Sequence, residues 1–201
     1  NSIIALSINK RLEAIIGIRD MIRPCAREHL DKLKKLGVKN LIILSGDNQG
    51  SVDIIKNELG LSQAYGNLLP QDKAEFVKKL KEKGHTITFV GDGINDSPSL
   101  AIADVGIAMG SGTDVAIEVS DLVLMNSGLE KLPFAYGLAK KTHLNMLENI
   151  FIALGVVVFL LAFLIFSDWM NMSFGMLIHE GSILAVILNG MRLLGYKESM
   201  N

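Results

Sequence analysis

Cysteine is almost missing from this chain of 201 residues. Cys25 stands alone, which excludes an intrachain disulfide and any multi-cysteine zinc cluster within the chain, and points to a reducing compartment. An excess of either charge is missing too. Twenty Lys and Arg face 21 Asp and Glu, and a pI near 6.5 leaves no bulk attraction toward nucleic acid, which is not an expected partner. The opening Asn1-Ser2-Ile3-Ile4 has no initiator methionine and no signal-peptide order, so the chain reads as a fragment or a product without its beginning. Basic residues also run out along the chain. Eighteen of the 20 fall in residues 1–143, and only Arg192 and Lys197 lie beyond. The hydrophobic fraction of 49% is therefore an average over two unlike regions.

Within the charged region, two β-branched stretches around Asn9-Lys10-Arg11 predict a hairpin over residues 3–18. Pro24 near the start and Gly37 past the end bracket a helix through Glu28, Leu30, Leu33 and Leu36. Asn40 to Leu44 is a short apolar run, expected as a strand buried on both faces and ending at Ser45-Gly46-Asp47. Helices follow over Val52–Leu59 and Gln71–Lys83, each closed by glycine, and a strand over Thr86–Val90 runs into Gly91-Asp92-Gly93. Asp104–Ala108 and Asp121–Met125 read as strands with a helix over Asp114–Val119 between them. This alternation predicts an α/β domain on a mostly parallel sheet.

From Ile150 to Phe166 no side chain is charged or polar, and with its flanks the run reaches the ~20 residues that cross a bilayer as helix. After a polar turn at Ser167 to Asn171, a second segment of about Met172 to Leu194 carries His179, Glu180 and Asn189. Lys140 and Lys141 before the first span and Arg192 and Lys197 after the second put both ends on the cytoplasmic side.

Ligands of parallel sheets sit beyond the carboxyl ends of the strands, and three positions there bear chemistry. The Ser45 hydroxyl and the backbone N–H groups around Gly46 suit phosphoryl oxygens, with Asp47 beside them. Asp92 and Asp96, four residues apart on a glycine turn, can face one point and bind a hard cation such as Mg²⁺. Lys73, at the start of a helix after Pro70, offers a lone ammonium to phosphate. Singly, each has a bland alternative: a common turn, a cap, a solvated surface charge. Together they make a phosphoryl-transfer site.

The string Gly91-Asp92-Gly93-Ile94-Asn95-Asp96-Ser97-Pro98 resembles the GDGxNDxP motif of P-type ATPases, and Ser45-Gly46-Asp47 resembles their TGD motif with Ser for Thr. Pro70-Gln71-Asp72-Lys73, Asp20-Met21-Ile22-Arg23-Pro24 and Met109-Gly110-Ser111-Gly112-Thr113-Asp114-Val115-Ala116 are similar to further segments of that family, in the expected order. The resemblance implies a haloacid-dehalogenase-like, Rossmannoid phosphorylation domain (residues 21–143). It follows the final hairpin of a nucleotide-binding domain (1–20) and precedes the last two transmembrane helices (144–201). It further implies ATP and Mg²⁺ as cofactors. Asp92 would bind Mg²⁺ with support from Asp96. Ser45, Lys73 and Asn95 would contact the phosphoryl group, Gly46 and Asp47 would belong to the same catalytic set, with Asp47 ordering the loop and the nucleotide end, and Gly93 would bind the cofactor. Asp20 and Arg23 would act at the hinge on the nucleotide side.

A histidine and a glutamate adjacent in a membrane span read as a functional site. At His179-Glu180-Gly181-Ser182, imidazole plus carboxylate favours Zn²⁺, Co²⁺ or Fe²⁺ over Na⁺, K⁺ or Ca²⁺. The segment resembles the heavy-metal pumps with a His-Glu-Gly signature, whose partner Ser-Pro-Cys helix lies outside this sequence. Asn189 and Met191 could be ligands or packing residues.

The family's DKTGT motif, which holds its phosphorylated aspartate, is absent, and no Asp here precedes Lys-Thr-Gly. The resemblance thus implies the C-terminal part of a pump in a cell membrane, dependent on remaining pump domains supplied upstream or by another chain. A membrane-tethered phosphatase of the same superfamily and a non-catalytic regulatory module are the alternatives. The isolated chain, incubated with labelled ATP and Mg²⁺, is expected to take up no acid-stable, hydroxylamine-sensitive label; such label would show that it forms the aspartyl-phosphate unaided.

Overall fold

The computed structural model describes residues 2–8, 11–18, 21–110, 112–125, 128–166 and 172–197. By its contacts the chain divides into two compact units, Asn1–Leu132 and Pro133–Asn201. The first opens with the expected hairpin: β1 (Ser2–Ile8) and β2 (Arg11–Ile18) run antiparallel, with Ile8 opposite Arg11 and an irregularity at Leu6/Ser7. Its turn at residues 9 and 10 lies outside the described residues. Leu6, Ile8, Leu12, Ile15 and Ile16 of the hairpin are all more than half exposed.

Five parallel strands then alternate with helices. They are α1 (Ala26–Lys35), β3 (Ile42–Leu44), α2 (Gln49–Leu59), β4 (Gln63–Tyr65), α3 (Pro70–Glu82), β5 (Thr88–Gly91), α4 (Ser97–Ile102), β6 (Val105–Met109), α5 (Asp114–Glu118) and β7 (Leu122–Leu124). The helix limits have local causes. Glu28 in the first turn of α1 and Lys32, Lys34 and Lys35 in its last suit the helix dipole. The Asn48 side chain caps α2 by accepting the Ser51 N–H at 2.9 Å, and Gly60 ends it at a left-handed φ of 65°. Pro70 opens α3, where the Asp72 carboxylate accepts the Leu69 N–H at 2.9 Å. The core gathers the buried face of each helix: Val52 of α2, Val77 of α3, Leu100 of α4 and Ala108 of β6 are all fully buried.

The strands form two separate sheets, β3-β4 and β5-β6-β7, rather than one. Among the described residues no strand pairs with the second edge of β3 or of β5. This corrects the expectation that β3 is buried on both faces. Ile42, Ile43 and Leu44 are each only half-buried, because a strand with one open edge lacks a neighbour to cover it.

The second unit consists of α6 and α7. Helix α6 runs unbroken from Lys131 to Phe166, so the apolar run beginning at Ile150 continues a helix already begun 19 residues earlier. Helix α7 (Met172–Met191) passes into a 3-10 turn at Arg192–Gly195. Both are long and apolar enough to cross a membrane, and the most apolar stretch of neither is buried by the rest of the chain. The expected polar turn between them lies outside the described residues.

Asp104 pins the start of β5 to the start of β6. Its carboxylate accepts the Ile87 N–H at 2.8 Å and meets the Lys81 ammonium at 3.0 Å, while its own N–H donates to the Ile87 carbonyl. The Ile87 hydrogen bond, and then Lys81, hold its carboxyl below the usual carboxylate range. A depressed acid stabilises the fold above its unfolded pKa, and that contribution is lost as pH falls through the folded value. Asp104→Asn is therefore expected to leave less acid-sensitive stability to lose below about pH 4. Urea unfolding of the whole chain in detergent at pH 7 and pH 3 measures this, and an unchanged pH difference would remove Asp104 from the acid response.

Candidate phosphoryl and metal sites

The loop after β3 is closed on itself. Ser45 continues the parallel ladder by donating its N–H to the Tyr65 carbonyl at 2.9 Å. Its hydroxyl donates to Asp47 Oδ2 at 2.9 Å, and its Oγ accepts the Asp47 N–H at 3.1 Å. A hydroxyl has one proton, so Ser45 can donate to a phosphoryl oxygen only by turning away from Asp47. The loop after β4 buttresses this one: the Asn67 N–H donates to the Asp47 carbonyl and the Leu68 N–H to the Ser45 carbonyl, at 2.6 and 3.0 Å. The contact requires Gly66, since a Cβ there would stand 2.7 Å from the Asp47 carbonyl oxygen. Nothing in the local sequence marks Gly66, because its constraint comes from a loop 19 residues away.

The loop after β5 turns through Gly91, Asp92 and Gly93 into a 3-10 turn at Ile94–Asp96 and then α4. Asp96 folds back over the strand end, which Gly91 permits: a Cβ on Gly91 would lie 2.7 Å from the Asp96 Cβ. There Asp96 Oδ1 meets Lys73 Nζ at 2.8 Å, with the two side chains only 16% and 13% exposed. Lys73 sits in the first turn of α3, where the helix dipole disfavours a cation, and Asp96 offsets that cost. The lysine is thus not the lone ammonium expected from its position; it is already paired.

Asp92 is exposed, and its carboxylate takes no hydrogen bond from any described residue. Its backbone is fixed instead, with its carbonyl accepting the Thr113 N–H at 3.1 Å. Gly112 allows this approach, because a Cβ there would lie 2.9 Å from the Asp92 oxygen. The segment following β6 therefore has a structural task, holding Asp92 in place. Asn95 and Asp47 are exposed beside these loops, Gly46 is exposed and Gly93 half-buried. The donor set fits Mg²⁺, which takes one or two carboxylates and fills its octahedron with water and phosphate: Asp92 is free, and Asp96 keeps Oδ2 unengaged by Lys73.

Arg23 lies apart from these loops in its surroundings. It is exposed and lines an apolar cleft of about 270 Å³ with Met21, Ile22, Ala26, Ile55, Leu59 and Leu129. Asp20 lies outside the described residues.

In the second unit His179 and Glu180 are both exposed on α7, and the His179 carbonyl accepts the Ser182 hydroxyl at 2.6 Å. Among the described residues no group of three or more His, Cys, Asp or Glu could hold a metal ion. His179 and Glu180 therefore offer at most part of a coordination sphere. Asn145, Glu148 and Asn149 of α6, which no sequence motif singles out, hydrogen-bond to Asn189 and Arg192 across the hairpin. Their spacing of three and four on one helix was the available signal.

Residues 2–104 match the haloacid dehalogenase-like hydrolase family. Over 96% of its length the chain is 40% identical to a probable cadmium-transporting ATPase of Alkalihalophilus pseudofirmus and 41% identical to a zinc-transporting ATPase of Bacillus subtilis. It spans only 27% and 30% of those relatives. The crystal structure of a zinc-transporting PIB-type ATPase in an E2.Pi state superposes with a TM-score of 0.87 at 38% identity, covering 96% of this chain and 31% of that one.

Proposed function

The chain belongs to the haloacid dehalogenase-like hydrolase family, and we propose that it works as the C-terminal portion of an ATP-driven heavy-metal pump. Homology to cation-transporting P-type ATPases runs through both units, so α6 and α7 are membrane helices and the α/β unit is cytoplasmic. The observation that carries the reading is the Lys73–Asp96 pair at the carboxyl end of an interrupted parallel sheet, with the exposed Asp92 on the same loop as Asp96.

Helix α1 packs with α2, and α3 with α4. With right-handed crossovers, such a sheet steps outward in opposite directions from β3 and from β5, which makes their junction a topological switch point. The two unpaired edges there are each available to a further parallel strand, which, pairing with both, would bring its carboxyl end between Ser45 and Asp92. A strand ending in the phosphorylated aspartate, supplied by pump sequence outside this chain, fits that position. Its product would meet Lys73, the backbone N–H groups around Gly46, and Asn95. Asp92, with Asp96, would hold Mg²⁺, which when bound neutralises charge on the transferred group. The exposed apolar side chains of the β1-β2 hairpin suit burial against the remainder of a nucleotide-binding domain, with Asp20 and Arg23 at the hinge.

His179 and Glu180 would supply half of the transported cation's site. The cadmium and zinc named for the relatives support a borderline or soft divalent ion, while Co²⁺ and Fe²⁺ rest on ligand chemistry alone. In the complete pump, Glu180→Ala is expected to abolish metal-stimulated ATPase while leaving phosphoenzyme formation from inorganic phosphate intact. Asp92→Asn is expected to lose the phosphoenzyme. Undiminished metal stimulation in Glu180→Ala would overturn the transport reading.

A further inference from the structure

The membrane hairpin carries a polar cluster that neither phosphoryl chemistry nor the His179-Glu180 pair uses. Asn145, Glu148 and Asn149 stand at spacings of three and four, on one face of α6. Opposite them is Asn189 of α7, every polar group of which is engaged. Its Nδ2 donates to Glu148 Oε2 at 3.1 Å and to Asn149 Oδ1 at 2.9 Å, and its Oδ1 accepts Arg192 Nη1 at 2.6 Å. Its backbone carbonyl accepts Asn145 Nδ2 at 2.8 Å. That carbonyl lies in the last turn of α7, where helical partners run out, so α6 caps the end of its neighbour. Arg192 also reaches Glu148 at 3.2 Å, Asn149 bonds Asn145 at 3.2 Å, and Asn145 is buried.

We propose that Asn189 is the hub of an interhelical clamp that fixes the depth of Glu180 and His179 relative to α6, which makes it a positioning residue for the transported metal. The metal role rests on the proposed pump function; the clamp itself does not. A slip of one helical turn, roughly 5.4 Å, would leave the buried Asn145 amide and several groups of Asn189 without partners, whereas the apolar side chains beyond them would tolerate it. Polar groups in an otherwise apolar contact specify register in this way. Rings of Phe134 and Tyr196, with centroids 5.4 Å apart, hold the same antiparallel register nearer the helix ends. Glu180 lies nine residues from Asn189, roughly 13 Å along the helix, and the same count from Asn145 along α6 reaches Leu154. The clamp thus sets the level of Glu180 against Leu154 and Gly155. An added Cβ at Gly155 or at Gly181 would meet nothing within 4 Å, so packing at that level does not fix the register.

Two measurements decide the proposal. In the complete pump, Asn189→Leu is expected to raise the Zn²⁺ concentration for half-maximal ATPase roughly tenfold while leaving turnover at saturation within about twofold. Glu148→Arg is expected to show the same defect and the double variant Glu148→Arg with Arg192→Glu to recover most of it. Loss of turnover with unchanged half-activation would mark Asn189 as merely structural and overturn the proposal, as would no change at all. In the 201-residue chain reconstituted in lipid, with Cys25→Ser and spin labels at Leu154→Cys and Leu184→Cys, one narrow distance is expected, broadened or shifted by Asn189→Leu. An unaltered distance would overturn the clamp. If the parent pump shows no metal stimulation, the pump reading fails while the distance still tests the clamp.

Discussion

One ion pair, Lys73 with Asp96, ties together the carboxyl ends of two sheets that share no strand pairing. The lysine follows β4 and the aspartate follows β5, so each partner comes from one half of the interrupted sheet. Two charges taken largely out of water are expensive, and their attraction repays that only when geometry is good. Here Gly91 gives way so that Asp96 can fold back, and the first turn of α3 presents the ammonium. The pair joins the loops that bear the groups proposed to meet phosphate and Mg²⁺, an electrostatic preorganisation of the kind phosphoryl transfer needs.

The same arrangement explains which parts of the fold were legible in the sequence. Elements with strong local signals appear close to expectation: α2 is closed by Gly60 although it begins at Gln49 rather than Val52, α3 begins at Pro70, and the hairpin strands flank residues 9 and 10. Strand β4 was missed because Gln63-Ala64-Tyr65 has neither an apolar run nor alternation, and only its ladder with Ile42–Leu44 makes it a strand. The helix expected to follow the Gly91–Asp96 turn is α4, which begins at Ser97 and buries Ser97 and Ser99, whose hydroxyls lack partners among the described residues. The chemistry-bearing loops were legible because glycine and acid recur at strand ends. Their internal bonds were not: the Lys73–Asp96 pair spans 23 residues and the Gly66 approach depends on a different loop.

In the membrane unit, composition located the apolar stretches of both helices but not the start of α6 at Lys131, and the adjacent His179 and Glu180 stood out as costly in lipid. The contacts across the hairpin were invisible, since Asn189 meets its partners on α6 at separations of 40 residues and more. Periodicity reports which residues share a face of one helix, and says nothing of what the facing helix brings. Both units thus hold polar side chains whose partners are distant in sequence: Lys73 with Asp96 in one, and Asn145, Glu148 and Asn149 with Asn189 in the other.

That the Lys73–Asp96 bond preassembles the phosphoryl half-site is tested most directly by a double-variant cycle. Hydrogen exchange of the whole chain in detergent would be followed in α3 and in the turn from Gly91 to Asp96, for Lys73→Met, Asp96→Asn and both together. Each single change is expected to cost about 3 kcal/mol of local stability by leaving one charge or its polar partner stranded, and the double change little more than either. Additive losses, or single variants with full protection, would contradict the account.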